Sequence, residues 1–236
     1  MKLLALETST QACSVALYYE GHIEQRFEIT PKSHTKLLLP MVHSLLSEAG
    51  LTLTQLDALA FGCGPGSFTG LRIATGVVQG LAFGADLPVV GVSTLAALAQ
   101  CYLPEVAFVA MDARIGEIFW GVYQRHTNGI MVLVGNEAVL PVSQITLPSV
   151  PCAIGIGSGW RVYENQLHAM SKGIVTQIQD AALPQASMIA TLGVYGFEQG
   201  AAVSAEYALP VYLRDKVAQT EAERKQLRHA INGESQ

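Results

Sequence analysis

The chain has 236 residues, of which 50% are hydrophobic and only 14% are charged, and its formal net charge is −5. This length predicts one large domain or two small lobes with a substantial core, and the low charged fraction indicates that some apolar surface is buried in an interface. The negative charge argues against a protein that holds nucleic acid by its own electrostatics.

Strand and helix signals alternate along the first half of the chain. Short apolar or alternating runs predict strands, and longer runs between cap-forming residues predict helices. Ser33 is expected to cap the first helix, and Gly50 is expected to follow its last turn. The predicted strands cover residues 2–6, 13–19, 23–29, 56–62 and 88–92, and the predicted helices cover residues 33–49, 68–85 and 93–102.

The second half repeats the opening layout of the first. The segment "VAFVAMDARIGEIFWGVYQRHTNG" predicts a strand, an acidic turn, a second strand and an Asn-Gly turn. Asp112 follows Glu7 by 105 residues, and each acid lies at the tip of an apolar strand. The repeat predicts an α/β protein with two similar lobes, 1–102 and 103–236, in the actin-like, sugar-kinase and Hsp70 (RNase H-like) fold. The alternative is two unrelated hairpins.

A glycine-rich stretch, "AFGCGPGSFTGLRIATG", precedes the second helix. It lacks the lysine of a Walker A loop and the third glycine of a dinucleotide-binding fingerprint. Free backbone N–H groups at this helix start could bind an anion, or the glycines could form a tight strand-to-helix joint. Both interpretations stay open, and the candidate nucleotide-binding residues are Glu7, Thr8, Ser9, Gly64, Gly66 and Ser67.

Two helices of the first half carry more packing surface than one core needs. Each glycine inside a helix costs roughly 0.8–1 kcal/mol relative to alanine, so a stripe of glycines every four residues indicates a closely approaching helix. The preceding helix has an apolar arc of roughly 200°, against about 100° for a helix that covers a single core. We expect a shared partner surface, with burial within the same chain as the competing explanation. Its candidate residues are Leu38, Met41, Leu45, Gly76, Gly80 and Gly84.

Five segments in chain order resemble one family. They are "LLALETSTQACSVAL", "GPGSFTGLRIATGVVQGLA", "PVVGVSTLAAL", "MDARIGEIFWGVY" and "PVYLRDKVA". Together they are similar to the TsaB (YeaZ) family, the bacterial accessory subunits of tRNA threonylcarbamoyladenosine synthesis. The resemblance spans residues 1 to about 218. It implies the same actin-like fold that TsaD, the related catalytic subunit, adopts.

The resemblance implies a noncatalytic role. It implies that the chain binds TsaD, which transfers the threonylcarbamoyl group to the adenosine 3′ of the anticodon, and that the ATPase TsaE joins at the interface. It further implies a homodimer when the chain is alone, and contact with tRNA only through the complex. The metal-binding histidine pair of TsaD corresponds here to Thr94 and Leu98, which do not suit a transition metal. We therefore expect no catalytic residue, metal or cofactor in the chain itself, with ATP or ADP as a candidate ligand of the complex.

Two other functions remain open from the sequence. A phosphotransferase of the sugar or acetate kinase type shares the fold, and ATP turnover with a small acceptor would identify it. A metallopeptidase would require metal ligands, and the metal content of the purified protein would identify it.

The remaining expectations concern compartment and tail. The four cysteines form no C-x-x-C pair, and no targeting segment or membrane span is expected, so we predict a cytoplasmic protein. Residues 212–236 carry a net charge of +1 and are expected to form a solvated, partly helical tail.

Overall fold

The computed structural model, which describes residues 1–214, shows two five-stranded sheets with helices on their faces. The first sheet contains β1 (Lys2–Glu7), β2 (Ala12–Tyr19), β3 (His22–Ile29), β4 (Ala58–Gly64) and β5 (Val89–Ser93), accompanied by α1 (His34–Glu48), α2 (Phe68–Ala85) and α3 (Thr94–Gln100). The second contains β6 (Val106–Arg114), β7 (Glu117–Arg125), β8 (Met131–Pro141), β9 (Ala153–Ile156) and β10 (Val175–Gln179). Helices α4 (Gly159–Val162) and α5 (Glu164–Met170) lie between β9 and β10, and α6 (Ala186–Glu198) follows β10.

The two sheets have the same strand order. The first is ordered β3-β2-β1-β4-β5, and the second, read in the same sense, β8-β7-β6-β9-β10. In each, three antiparallel strands form a meander, a fourth strand pairs in parallel with the first strand, and the fifth pairs in parallel with the fourth at the edge of the sheet. This duplicated arrangement confirms the predicted two-lobed, actin-like architecture and identifies the opening hairpins, β1–β2 and β6–β7, as equivalents.

The central strand β1 is buried on both faces because helices cover each side of the first sheet. Leu4 and Leu6 pack with α1 and α2, whereas Leu3 and Ala5 pack with α6. Alternate residues of a strand point to opposite faces, so one short apolar run serves two cores.

Helix α6 belongs spatially to the first sheet, although it follows the second sheet in sequence. It contacts β1, β2 and β4 over most of its length. A Cβ added at Gly193 would lie 2.7 Å from the Ala60 Cβ, so the absence of a side chain at this position allows the helix to approach the strand closely. Beyond α6, Val203 forms an isolated antiparallel bridge with Val89 of β5.

The predicted elements of the first half agree closely with the observed ones. Helix α2 has the predicted bounds, and Gly50 follows α1 with a φ of +64°. No helix of residues 1–214 is both long and apolar enough to span a membrane. The expectation of a solvated tail concerns residues 212–236, of which only 212–214 lie within the described range.

Candidate functional site

The glycine-rich loop before α2 packs tightly against the loop that joins β1 to β2. The Ser67 N–H donates to the Ser9 carbonyl at 2.7 Å, and the Thr8 hydroxyl donates to the Gly70 carbonyl at 2.8 Å. A Cβ at Gly70 would lie 2.0 Å from the Thr8 carbonyl oxygen, and one at Gly66 would lie 2.7 Å from Ser9. The glycines are needed for this approach, and the geometry favours the tight joint over an open anion-binding loop.

The acid of the first hairpin is buried inside this joint. Glu7 has no exposed surface, and its Oε1 accepts a hydrogen bond from the Ser9 N–H. Its Oε2 has no partner among the described residues and lies where a Cβ of residue 62 would stand, which explains Gly62. Burial raises the pKa of the Glu7 carboxyl above its ordinary value, because desolvation disfavours the charged form.

The equivalent acid of the second hairpin is engaged within its own turn. Asp112 Oδ1 accepts a hydrogen bond from the Arg114 N–H at 2.9 Å. The Asp112 N–H donates to the Ser158 hydroxyl at 3.1 Å. Glu7 is the last residue of β1 and Asp112 lies two residues before the end of β6, so the two acids lie near the ends of equivalent strands, and each accepts a hydrogen bond within its own hairpin.

A segment that sequence analysis missed crosses the end of β4. We call residues 205–214 the C-terminal strap. The Val211 N–H donates to the Cys63 carbonyl at 2.7 Å, and the Val211 carbonyl lies where a Cβ of Gly64 would stand. Tyr212 packs on Phe68 with ring centroids 5.3 Å apart. The strap ends at Arg214, which forms an ion pair with Glu117 of the second lobe. The continuous apolar run "YALPVYL" was the available signal.

The six candidate nucleotide-binding residues are thus brought together, but as a packed joint. Glu7, Thr8, Ser9 and Gly64 are buried, and Gly66 is partly buried, so only Ser67 is exposed. Ser67 accepts a hydrogen bond from the Gly70 N–H at 3.3 Å and acts as the N-cap of α2. The residues do not form a cradle that fits a nucleotide phosphate.

The positions that correspond to the TsaD metal pair are both in the core. Thr94 and Leu98 are fully buried one turn apart on α3, and the Thr94 hydroxyl has no hydrogen-bond partner within residues 1–214. The same part of the chain holds no group of three or more His, Cys, Asp or Glu side chains that could bind a metal ion.

Helix α1 corrects part of the predicted partner surface. Leu38 and Leu45 are 0% and 2% exposed and pack against their own sheet, so they cannot contact another molecule. Met41 is partly buried against the same cluster. The wide apolar arc did not reveal which flank faces the sheet. Leu39, at 51% exposure, is the leucine that α1 presents to solvent.

Helix α2 presents its glycines to solvent. Gly76, Gly80 and Gly84 are all exposed, and among the described residues nothing lies within 4 Å of a Cβ built at any of them. Phe83, on the same side, is 65% exposed. Within residues 1–214, therefore, no helix of this chain packs on the stripe, and the explanation of burial within the chain does not hold there.

Comparisons with known proteins agree on one family. The chain matches the family model described as TsaD, tRNA N6-adenosine threonylcarbamoyltransferase, over residues 27–222. It is 41% identical to the tRNA threonylcarbamoyladenosine biosynthesis protein TsaB of Escherichia coli K12, over 92% of this chain and 96% of that protein. Identity to the Haemophilus influenzae protein of the same name is 38%, covering 92% and 95%. The solved structure of YeaZ from Pseudomonas aeruginosa matches with a TM-score of 0.83 and 45% identity, covering 90% of this chain and 99% of that chain.

Proposed function

The chain belongs to the TsaB (YeaZ) family of tRNA threonylcarbamoyladenosine biosynthesis proteins, and we propose that it acts there as a noncatalytic accessory subunit rather than as an enzyme. It binds TsaD and supports the transfer of the threonylcarbamoyl group to the adenosine 3′ of the anticodon. TsaE joins this complex, and tRNA is contacted through the complex rather than by this chain alone.

The exposed glycine stripe of α2 is the observation that carries the proposal. Gly76 and Gly80, in the interior of α2, together cost the isolated helix roughly 1.6–2 kcal/mol relative to alanine, and Gly84 continues their spacing into the last turn. Within residues 1–214 no contact offsets that cost, because the three positions face open space. A helix of another subunit crossing at Gly80 would supply close backbone contacts and offset it.

Exposed apolar side chains extend this surface. Leu39 projects from α1 and Phe83 from α2, and both helices cover the same face of the first sheet. Large exposed apolar groups beside a groove are typical of protein–protein interfaces. The revised partner surface is therefore Leu39, Gly76, Gly80, Phe83 and Gly84, with Met41 at its margin.

The chemistry of the cleft residues supports the noncatalytic part of the proposal. Leu98 offers no ligand atom, and Thr94 is enclosed in the core. Glu7 is enclosed by the joint, and burial raises the pKa of its carboxyl, which disfavours the charged form that Mg²⁺ binds. None of these groups is placed to activate a substrate.

Substitution of one glycine on the stripe tests the proposal. In Gly80→Leu, the added side chain should block a close helix crossing, so we expect loss of binding to TsaD. We also expect loss of the homodimer that the same surface is proposed to form. Size-exclusion chromatography with light scattering measures both, and reconstituted tRNA modification with TsaD and TsaE measures the functional consequence.

Gly80→Ala is the matched control, because one methyl group is tolerated where nothing lies within 4 Å. It should fold like the wild type and weaken both associations less than Gly80→Leu does, because it adds a single methyl group. Circular dichroism confirms that each variant folds. Because the homodimer and the TsaD complex are proposed to share one surface, addition of TsaD to the wild-type protein should dissociate its homodimer. A folded Gly80→Leu protein that still binds TsaD and supports modification would overturn the proposed surface. Turnover of ATP or peptide by the purified chain alone would overturn the noncatalytic role.

A further inference from the structure

Helix α3 connects the two lobes and is in contact with both. In sequence it lies between β5 of the first sheet and β6 of the second. Leu95, Leu98 and Ala99 pack with residues of the second sheet, including Val109 and Ile156. The opposite side of α3 contacts α6, which covers the first sheet. Movement of one lobe relative to the other would therefore require α3 to separate from one of them.

The first end of α3 is tied to the second lobe through a carboxylate. The Ser93 hydroxyl accepts hydrogen bonds from the N–H groups of Leu95 and Ala96, at 3.1 and 3.2 Å, and it donates to Glu137 Oε1. The Tyr123 hydroxyl donates to the same oxygen. One carboxylate on β8 thus joins β5, α3 and β7.

The second end of α3 is tied to the same hairpin. The buried Gln100 amide donates to the Gly129 carbonyl at 3.0 Å and accepts from the Met131 N–H at 2.8 Å. Both contacts lie at the turn that connects β7 to β8. The β7–β8 hairpin therefore holds α3 at its beginning and at its end.

A backbone irregularity directs Glu137 toward the first lobe. Trp120 pairs with Ala138 and Val122 with Val134, so three residues of β8 stand opposite Gly121 alone. Gly135 in this bulge has a φ of +80°, a conformation that glycine adopts readily. Bulges change the direction in which a side chain points, and here the bulged segment ends at the carboxylate.

The residues around Glu137 agree with a position of its carboxylate between the two lobes. Burial, together with the charge of the Glu137 carboxylate, raises the pKa of the Cys63 thiol at the end of β4 to about 12. A Cβ at Gly121 would lie 2.9 Å from the Tyr123 ring and 3.5 Å from Leu95, so the glycine leaves room for both.

We propose that Glu137, assisted by Gln100, is a clamp that locks the two lobes into one rigid body by holding both ends of α3. Hydrogen bonds to an ionised carboxylate are stronger than neutral ones, and a single carboxylate that accepts two hydroxyls couples three elements at once. The clamp joins the lobes at the carboxyl ends of β4 and β5, which is the edge where ligands commonly enter a sheet of this type.

Hydrogen–deuterium exchange of the purified protein tests the clamp. In Glu137→Ala we expect exchange to accelerate by at least about tenfold in residues 93–100 and 126–131, with rates in α1 and α2 unchanged. Glu137→Gln retains an acceptor oxygen and should show a smaller acceleration in the same segments. Glu164→Ala, which removes an exposed glutamate of the second lobe, is the control and should exchange like the wild type.

Tyr123→Phe provides a second test if Glu137→Ala fails to fold, because it removes one hydroxyl and keeps the ring packing. It should accelerate exchange in the same two segments, and combining it with Glu137→Gln should give less than the product of the separate effects. Wild-type exchange in residues 93–100 in both Glu137 variants, or acceleration spread evenly over both lobes, would overturn the clamp.

Discussion

Glu7 shows how a residue that suggests chemistry can serve packing. An acid at the tip of the first strand is where a phosphate or metal contact is expected in this fold, yet its carboxylate lies under Gly62 with one oxygen unpartnered within the described residues. The neutral form of the acid suits this environment better than the charged form, because an isolated buried charge is costly. The hydrogen bond from the Ser9 N–H reduces this cost without removing it.

Glu7→Gln should therefore change the pH dependence of stability. Since the folded-state pKa is raised above its ordinary value of 4.5, the wild type loses stability as pH rises from about 4.5 to the folded-state pKa. The amide does not titrate, so the variant should gain relative to the wild type by up to about 1.4 kcal/mol per pH unit in that window. Urea unfolding between pH 4 and 8 measures the difference. The exposed Glu28→Gln is the control, and a pH-independent difference for Glu7→Gln would contradict the prediction.

Two glycines of the same helix should respond oppositely to alanine. Gly70→Ala forces a methyl group against the Thr8 carbonyl and should lower the free energy of unfolding by about 1–3 kcal/mol. Gly80→Ala enters open space and should raise it by roughly 0.8–1 kcal/mol through helix propensity. Denaturant unfolding of the isolated protein measures both. A stable Gly70→Ala protein would show that the joint is looser than described.

At the scale of elements, different sides of α2 make different contacts. Ala74, Val78 and Ala82 face the sheet, and Gln79 donates to the Ala208 carbonyl of the C-terminal strap at 3.1 Å. The glycine stripe lies on a remaining, exposed side. Because the stripe carries no side chains, another helix could approach the backbone of α2 closely on this side.

Aspartate substitutions on α1 should separate its two faces. Leu39→Asp places a charge on an exposed position, so the protein should fold and lose association with TsaD by desolvation of the charge in the interface. Leu45→Asp buries the charge in the core and should prevent folding at neutral pH, since the penalty exceeds several kcal/mol. Circular dichroism followed by light scattering with TsaD distinguishes the two. Normal complex formation by Leu39→Asp would remove α1 from the partner surface.

For the whole molecule, duplication explains why the two lobes have the same strand order. Helices that contact the sheet of the other lobe explain how the lobes are joined. Each lobe has its own sheet, yet α6 of the second half covers the first sheet, and α3 contacts both. The C-terminal strap adds the ion pair between Arg214 and Glu117. The lobes are thus related by topology, but the core of the first lobe includes a helix from the second half of the chain.

The net charge of −5 leads to a prediction about tRNA for the molecule as a whole. The isolated protein should bind tRNA with a dissociation constant no tighter than about 10⁻⁵ M at physiological salt, because few phosphates can be neutralised. Fluorescence anisotropy at several salt concentrations measures the affinity and its salt slope. Submicromolar binding with a steep slope would show direct phosphate contacts.

Local periodicity accounts for what could be predicted from the sequence. Strand alternation, helix caps and the repeat of an acid-tipped hairpin involve neighbours within a few residues, so the elements of the first half and the duplicated fold were predictable. For the proposed partner surface, the sequence left open which leucines of α1 are exposed, because its apolar arc contains both Leu45 and Leu39, and periodicity does not assign either to solvent. The return of α6 to the first sheet had no local signal at all.

The sequence alone determined that α2 carries three glycines that need an explanation, and it predicted that the opening acids are equivalent. Only the tertiary structure decided that the stripe faces outward, that Glu7 is enclosed, and that Glu137 reaches Ser93 across 44 residues of chain. The physical reason is that exposure and long-range hydrogen bonds depend on which sheet and helix faces meet. That choice is made by packing of the whole chain, whereas periodicity and capping are set by each residue and its near neighbours.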